Sequence, residues 1–282
     1  MLNISSENSP DGIYANSSVH YTPADHAIFR FIAPANALHN ELLQIVQFLD
    51  GVFKGTLYFM PRITSFRLPN KIKFQRALLG WFTIHQRDLP WRRTSNPYHI
   101  LVSEMMLQQT QVERVTPKYA EWLEKYPTLD TLADAEIEDV KATWKGLGYN
   151  IRPVRLHSIA RETVALYDGQ LPDNAEGLQQ FKGIGRYTAG AVASFAYRQD
   201  EPILDTNVRR VLYRVFVGEG ILRSGEMERR LWEISARVLP RGQAWEFNSA
   251  LMDFGATCCM ARRPLCEACP MVAFCRWLKN NQ

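Results

Sequence analysis

Four of the five cysteines in this chain have the spacing of a metal-binding loop: Cys259, Cys266, Cys269 and Cys275. Four thiolates in one short loop can ligate either zinc or a [4Fe–4S] cluster. Structural zinc loops usually place a longer insertion between two close cysteine pairs, so the unequal short gaps of C-x6-C-x2-C-x5-C favour the cluster over zinc. We therefore predict a [4Fe–4S] cluster in the loop 259–275. Cys258 has no matching partner and is expected to be a small buried residue.

Two carboxylates stand in sequence contexts that suit acid–base chemistry. Glu104 lies in the apolar run HILVSEMML, where an ionised carboxylate is costly unless it is paired or functional. Asp205 follows an apolar segment and precedes a predicted helix start, so the alternative to a catalytic role is that it only caps this helix. For Glu104, the alternative is a buried glutamate whose hydrogen bonds are satisfied by a neighbour. Two carboxylates in different environments are the usual apparatus for cleaving a glycosidic bond, because one protonates the leaving group and the other stabilises positive charge on the sugar.

A third motif has the composition of a phosphate-binding turn. The segment FKGIGR contains Gly183, Gly185 and Arg186, and two glycines around one apolar residue form a tight hairpin whose backbone N–H groups can face a phosphate. The positive end of the following helix would add to that attraction. An ordinary turn between helices is the alternative, but the small-residue run TAGAVASFAY that follows favours a helix-hairpin-helix DNA-binding motif at 182–186.

The elements that must position these groups are helical. Apolar residues recur at spacings of three and four from Phe74 onward, and no convincing alternating strand pattern occurs. We predict an all-α protein of about ten helices, with Pro117 in the first turn of one of them. The other helices include those over 98–111, 132–144, 153–167, 188–197 and 207–217.

The composition is that of a globular chain. The 282 residues are 46% hydrophobic and 22% charged, which excludes a mainly disordered or coiled-coil protein, and no apolar run is long enough to span a membrane. All five cysteines lie in the last 25 residues, whereas the disulfides of a secreted protein are normally spread along the chain. Residues 1–60 hold two basic and five acidic residues, so the net charge of +4 divides into −3 there and +7 beyond. We predict a poorly ordered N-terminal extension over 1–60 and a folded region over 61–282.

Taken in order, these motifs resemble a known family. The chain carries LPWRRTSNPYHILVSEMMLQQTQVERV, GLGYN, KGIGRYTAGAVASFAY, ILDTNVRRVLYR, FNSALMDFGA and the cysteine loop in the order of the MutY-type adenine DNA glycosylases. These belong, with endonuclease III, to the helix-hairpin-helix superfamily, and the resemblance covers about residues 70–280. It implies two helical lobes, a six-helix domain and an iron–sulfur cluster domain made from both chain ends, with the DNA-facing site between them.

The resemblance implies four catalytic residues. Glu104 matches the acid that protonates N7 of a flipped purine, and Asp205 matches the carboxylate that stabilises the oxocarbenium-like sugar. Asn207 matches the hydrogen-bonding neighbour of that carboxylate. Tyr187 stands where endonuclease III has its nucleophilic lysine, and because a phenol cannot form a Schiff base, a monofunctional glycosylase is expected.

The resemblance also implies residues that bind DNA and the extruded base. Trp91, Arg92 and Leu107 match the pocket around the base, which must leave the stack because its glycosidic bond cannot be attacked within the duplex. Gln109 and Tyr149 match residues that wedge into the stack beside the mismatch. Gln108, next to this wedge, is predicted to contact DNA as well.

Two departures from the family pattern bear on specificity. Ser249 stands where these proteins commonly carry a glutamine or glutamate that reads the adenine edge, and its hydroxyl has a shorter reach and a single donor. The sequence ends seven residues after Cys275. We therefore expect no C-terminal 8-oxoguanine-recognition domain. Discrimination for 8-oxoguanine opposite the adenine would then be either weaker or supplied by the catalytic region.

These observations predict a monomeric hydrolase that removes adenine mispaired with guanine or 8-oxoguanine from double-stranded DNA in base excision repair. We expect it in the cytoplasm, at the nucleoid if the source is prokaryotic, and not at a membrane. One alternative is an enzyme of the same fold acting on thymine or uracil opposite guanine, which Ser249 favours and the QQTQV segment disfavours. Another is a DNA-binding module without catalysis, against which the intact Glu104 and Asp205 argue.

Overall fold

The structure, a computed structural model, describes residues 68–219 and 225–281. The predicted extension over 1–60 lies outside these ranges. Twelve α-helices and no strand occur in the described residues, which confirms the all-α prediction, and no described helix is long and apolar enough to cross a membrane. The helices are α1 Lys71–His85, α2 Pro97–Leu107, α3 Val112–Lys125, α4 Leu129–Ala133, α5 Ile137–Thr143, α6 Ile151–Leu166, α7 Ala175–Leu178, α8 Arg186–Tyr197, α9 Thr206–Leu212, α10 Gly225–Val238, α11 Ala244–Thr257 and α12 Arg276–Asn280.

Two hydrophobic cores divide the helices into the two predicted lobes. The first core is built from α2 to α8 around Trp122 and Trp144, which are both fully buried. The second joins α1 to α9, α10 and α11, so it draws on both ends of the described chain. The helix α8 belongs to both, since Val192 packs in the first core and Ala191 in the second. Such a shared helix fixes the position of one lobe against the other.

Three predicted helix boundaries are wrong, and one of them matters for function. The helix expected over 98–111 ends at Leu107, which leaves Gln108 and Gln109 in a turn at the edge of the lobe. The single helix expected over 132–144 is instead the two short helices α4 and α5. Pro117 lies inside α3 rather than in its first turn.

The start of α2 is determined locally. The side chain of Asn96 caps it by accepting from the backbone N–H groups of Tyr98 and His99, at 2.9 Å and 3.3 Å, and Pro97 occupies the first helical position. The helix is then buried continuously from Ile100 to Met106. An N-cap and an apolar run therefore carry a glutamate into the middle of the protein.

The helix α9 continues into a turn of π-helix, Tyr213–Val217, which sequence periodicity did not indicate. Such turns insert an extra residue into a helix and often occur at functional sites. Gly218 ends the turn at φ 78°, and a Cβ there would lie 2.8 Å from the backbone of Arg276. The close approach requires glycine and holds α12 against the second lobe.

Candidate active site

A cavity of about 960 Å³ lies between the two lobes, and most of the predicted site residues meet in it. The predicted residues that line it are Trp91, Arg92, Glu104, Leu107, Gln108, Gln109, Tyr187, Asp205, Asn207 and Ser249. They come from helices of both lobes and from the turn after α2. The predicted DNA-binding residues that do not line it are Tyr149, Gly183, Gly185 and Arg186.

Glu104 is a buried carboxyl group with one hydrogen-bond donor. Its side chain is only 3% exposed, and the Tyr187 hydroxyl donates to Oε2 at 2.8 Å. Burial raises the pKa of Glu104 to about 7, an effect that the Tyr187 hydrogen bond opposes and the charge of Asp205 reinforces. Glu104 is therefore a mixture of acid and carboxylate near neutral pH, which suits a general acid.

Tyr187 is held as a neutral phenol. Burial, followed by the negative charge of Glu104, raises its pKa well above the ordinary value for tyrosine. It is the second residue of α8, the helix shared by the two lobes, and the carboxylate that it reaches lies on α2. The hydroxyl therefore acts as a fixed donor that orients Glu104 toward the cavity.

Asp205 combines the two interpretations that the sequence left open. Its side chain caps α9 by accepting from the backbone N–H of Val208 at 2.6 Å, and it also lines the cavity. The Asn207 amide donates to the other carboxylate oxygen at 3.2 Å. Burial raises the pKa of Asp205, and the hydrogen bonds from Val208 and Asn207 oppose that shift. The cap fixes the carboxylate to the rigid start of a helix.

A guanidinium that sequence reasoning did not single out supports Asn207. Arg210 donates to Asn207 Oδ1 at 2.8 Å and to the carbonyl oxygens of Gly255 and Cys259, at 2.5 Å and 2.8 Å. The Gly255 position is equally constrained, since a Cβ there would lie 2.7 Å from Cβ of Asn207. The carboxylate at the start of α9 is thus connected to the first cysteine of the predicted cluster loop.

Arg92 is placed in the cavity, where a buried ion pair holds its guanidinium. Its guanidinium donates to both carboxylate oxygens of the fully buried Asp253, at 2.6 Å and 2.8 Å, and Asp253 also accepts from Arg87. Because this ion pair joins residues 161 apart in sequence, no local pattern could identify Asp253. Arg92 therefore contributes a rigid, hydrogen-bonding cavity wall more than a free positive charge.

Trp91 and Ser249 contribute an aromatic ring and a short polar group to the cavity wall. Trp91 is 8% exposed and packs edge-to-face on Tyr119 with ring centroids 5.5 Å apart. Ser249, on α11, is 1% exposed, and its backbone carbonyl lies 3.4 Å from Arg92 Nη2. A flat aromatic wall beside fixed donors and acceptors suits a heteroaromatic base.

The predicted wedge residues form a pair at the edge of the cavity. The Tyr149 hydroxyl donates to the side-chain oxygen of Gln109, and Tyr149 is 57% exposed. Both residues have positive φ, 48° for Tyr149 and 57° for Gln109. This left-handed conformation is unfavourable for residues with a Cβ, and such strain clusters at functional sites.

The predicted hairpin forms a tight turn in front of α8. Gly183 has φ 106°, and a Cβ there would lie 2.7 Å from Cδ of Arg155, so glycine is required. Gly185 occupies the N-cap position of α8, and Arg186 stacks on Trp232 with the guanidinium carbon 3.9 Å from a ring centroid. The turn leaves the N-terminal end of α8 facing outward.

The four predicted ligand cysteines border one apolar pocket, which Val215, Leu265 and Met271 also line. Burial raises the pKa of the Cys259 thiol, and Arg214 Nη1, which lies 3.4 Å from Sγ, opposes that shift. Among the residues that the structure describes, no three His, Cys, Asp or Glu side chains converge on a single-ion site. The sulfur donors and the pocket fit an iron–sulfur cluster, which would supply iron–thiolate bonds that cross-link the loop.

Cys258 is 4% exposed, which confirms its prediction as a buried residue.

Anaerobically purified protein is expected to be brown, with broad absorption at about 400 nm from thiolate-bound iron. Metal analysis should give about four iron atoms per chain, and treatment with a chelator and an oxidant should bleach the colour. The Cys258→Ser variant, which changes a cysteine outside the predicted ligand set, is the matched control and should keep the absorbance that Cys269→Ser loses. A colourless preparation that contains zinc would contradict the assignment.

Comparison with known proteins agrees with this fold and with a cysteine loop that binds an iron–sulfur cluster. The HhH-GPD superfamily of base excision DNA repair proteins matches residues 102–237, and the iron–sulfur binding domain of endonuclease III matches residues 259–275. The adenine DNA glycosylase of Rattus norvegicus is 43% identical over 212 residues, 72% of this chain and 41% of the relative. The adenine DNA glycosylase of Mycolicibacterium smegmatis is 44% identical over 201 residues, 71% of this chain and 68% of the relative.

Solved structures give the same result for the fold. A thermostable thymine-DNA glycosylase has a TM-score of 0.70 and 30% identity, and the alignment covers 75% of this chain and 97% of that one. A trapped endonuclease III–DNA covalent intermediate has a TM-score of 0.65 and covers 75% of this chain and 98% of that one. Its identity of 22% supports the fold alone.

The two helical lobes, the hairpin and the cysteine loop thus define a protein of the HhH-GPD class with a [4Fe–4S] domain, as the sequence predicted. Within that class, the chain belongs to the family of adenine DNA glycosylases. The chain spans 41% of the length of the rat relative and 39% of that of Homo sapiens.

Proposed function

We propose that this chain is a monofunctional DNA glycosylase that releases adenine mispaired with guanine or 8-oxoguanine from double-stranded DNA, and that it acts as a monomer. The observation that carries the proposal is the meeting of two different carboxylates in one cavity, the buried Glu104 and the helix-capping Asp205. Membership of the adenine DNA glycosylase family supports adenine as the released base. The location in the cytoplasm or at the nucleoid stays a prediction.

The two carboxylates divide the work of breaking the N-glycosidic bond. The Glu104 carboxyl transfers its proton to N7 of the extruded adenine, which makes the base a better leaving group. As the bond between the base nitrogen and C1′ breaks, the ionised Asp205 stabilises the positive charge that develops on the sugar. Water adds to C1′ and returns a proton to Glu104, so the products are free adenine and an abasic site.

Tyr187 accounts for the absence of strand cleavage in this proposal. Its hydroxyl is committed to Glu104 and its pKa is raised well above the ordinary value. A neutral phenol cannot form the Schiff base with the abasic sugar that strand cleavage by a lyase needs. The reaction therefore ends at the abasic site.

A single assay tests the proposed substrate. The protein is incubated with duplexes that carry A:G, A:8-oxoguanine, T:G or U:G, and alkali then cleaves the DNA at abasic sites. We expect cleavage of the adenine strand only after alkali and none from the T:G and U:G duplexes. Release of thymine or uracil without adenine would contradict the proposal, and release from no duplex would favour a DNA-binding module.

The thymine or uracil enzyme stays as the second candidate because of two observations. Ser249, on α11, lines the cavity and is short and buried. A solved relative with 30% identity is a thymine-DNA glycosylase. The T:G and U:G arms of the assay decide between the candidates.

The rate of base release is expected to fall as pH rises above about 7, because the pKa of Glu104 is raised to about 7 and only its protonated form donates. The rate should drop about tenfold per pH unit on the alkaline side. At acidic pH the rate should fall again as Asp205 is protonated, at a higher pH than for an ordinary aspartate because its pKa is raised. Single-turnover rates measured across the acidic and alkaline ranges follow both limbs, and a rate that stays constant from pH 7 to 9 would contradict the acid role of Glu104.

A further inference from the structure

A buried arginine outside the cavity joins the two segments that carry the wedge residues. Arg152, at the start of α6, is 2% exposed, and its pKa is lowered by burial. No carboxylate among the described residues pairs with it; the six hydrogen bonds that its guanidinium makes all go to neutral oxygens. A buried cation kept without a counter-ion needs this many dipoles to offset its desolvation.

The six hydrogen bonds are divided between two segments. Arg152 Nη1 donates to the carbonyl oxygens of Met105, Met106 and Gln108, at 2.9, 2.9 and 2.7 Å. These carbonyls belong to the last turn of α2 and the turn after it, where no backbone N–H of the helix is left to donate to them. Arg152 Nη2 donates to Leu147 and Gly148, at 2.9 and 3.0 Å, and to the Thr110 hydroxyl at 3.2 Å.

These bonded residues flank the wedge pair in sequence. Gln109 lies between Gln108 and Thr110, and Tyr149 follows Gly148 directly. Both wedge residues adopt the left-handed conformation, which persists only where the surroundings determine it. The Arg152 guanidinium also lies 5.3 Å from the ring centroid of Tyr149. One side chain thus fixes the backbone on both sides of the hydrogen bond between Tyr149 and Gln109.

We propose that Arg152 is a positioning residue that holds Gln109 and Tyr149 together as one rigid wedge, so that the wedge opens the base stack when DNA binds. The inference rests on the proposed function, because it assigns a task within base release. Its planar guanidinium is suited to the task, since Nη1 donates to the segment before Gln109 while Nη2 donates both to Thr110 and to the segment before Tyr149. A lysine ammonium is a single point charge and could not span both segments in this way. Arg152 itself touches neither the cavity nor the reacting atoms.

The choice of substrate separates the effect of the wedge on base extrusion from the effect of the catalytic groups on bond cleavage. Adenine opposite a base must be unpaired before it is extruded, whereas adenine opposite a tetrahydrofuran abasic analogue is already without a partner. The experiment measures single-turnover base release by wild type, Arg152→Met and Arg152→Lys on both duplexes. Tyr98→Phe is the matched control, because it removes a buried hydrogen-bonded hydroxyl from the same lobe, 2.8 Å from the Tyr126 carbonyl, away from the wedge.

We expect Arg152→Met to slow release from the paired duplex about 100-fold, the scale of misplacing a group by about 1 Å. Its rate on the duplex with the abasic analogue should stay within about threefold of wild type, and Arg152→Lys should fall between the two. Tyr98→Phe should change both rates equally. Thermal melting identifies any variant that does not fold, in which case the milder Arg152→Lys carries the comparison.

An equal loss on both duplexes by a folded Arg152 variant would overturn the inference, as would wild-type rates on both. Fluorescence of 2-aminopurine placed next to the target reports unstacking without base release. If wild type releases no adenine at all, the proposed function fails, and this signal still tests Arg152. Wild type should then unstack the probe on binding and Arg152→Met should not, whereas equal signals would refute the role.

Discussion

The Asp205→Asn variant is expected to release adenine about 1000-fold more slowly than wild type, the scale of removing one group that stabilises developing charge in a buried site. Asparagine is as good a helix N-cap as aspartate, so it retains an acceptor for the Val208 N–H that caps α9. The substitution therefore removes the negative charge from the cavity and leaves the helix start in place. Single-turnover kinetics on an A:8-oxoguanine duplex measure the loss, and binding to the same duplex should change by less than about threefold.

The Glu104→Gln variant tests the other carboxylate in the same way. The glutamine oxygen can still accept from the Tyr187 hydroxyl, but an amide has no proton to give to the base. We expect a loss of about 100-fold to 10000-fold, the usual contribution of a general acid. It should also abolish the alkaline limb of the pH profile.

The matched control for both variants is Glu121→Gln, which neutralises an exposed carboxylate that pairs with Lys118 on the surface. Exposed pairs contribute little to stability, so this variant should keep the wild-type rate. Wild-type activity in either cavity variant would refute the corresponding catalytic role. A loss of DNA binding as large as the loss of rate would instead show that the carboxylate positions DNA.

The Gly255→Ala variant is also expected to slow base release strongly, although it adds one methyl group far from the base. The new Cβ would lie 2.7 Å from Asn207 Cβ and 3.1 Å from its backbone carbon and oxygen, so α9 or α11 must move. Asn207 donates to Asp205 at 3.2 Å and accepts from Arg210, and both interactions move with it. Misplacing a catalytic group by about 1 Å can cost about 100-fold in rate, which is the loss we expect in single-turnover release.

The control for Gly255→Ala is Gly80→Ala, which makes the same change in another helix. No atom lies within 4 Å of a Cβ at Gly80, and alanine is favoured over glycine in a helix by about 1 kcal/mol. Gly80→Ala should therefore raise the melting temperature slightly and leave the rate unchanged. A Gly255→Ala protein with the wild-type rate would show that Asn207 does not need its observed position.

Much of the fold and of the site can be predicted because the signals are local. Apolar spacing of three and four identifies the helices, the loop 259–275 carries all four predicted ligands, and Asp205 caps the helix that it precedes. Local signals also have a limit, since the helix predicted over 98–111 ends at Leu107. The carbonyl groups at that helix end accept hydrogen bonds from Arg152, which lies 44 residues after Gln108 in sequence.

The sequence by itself determined the class of the protein: an all-α chain, two carboxylates in contrasting contexts, a glycine hairpin and a cysteine loop, all set by spacing along the chain. Only the tertiary structure decided how these groups work together. The Arg92–Asp253 pair, the Arg210 link from Asn207 to the cysteine loop and the Arg152 bonds between two turns join residues that are distant in sequence. Such contacts arise when buried charges and carbonyls must find partners across packed helices, and no periodicity in the chain encodes which partners they find.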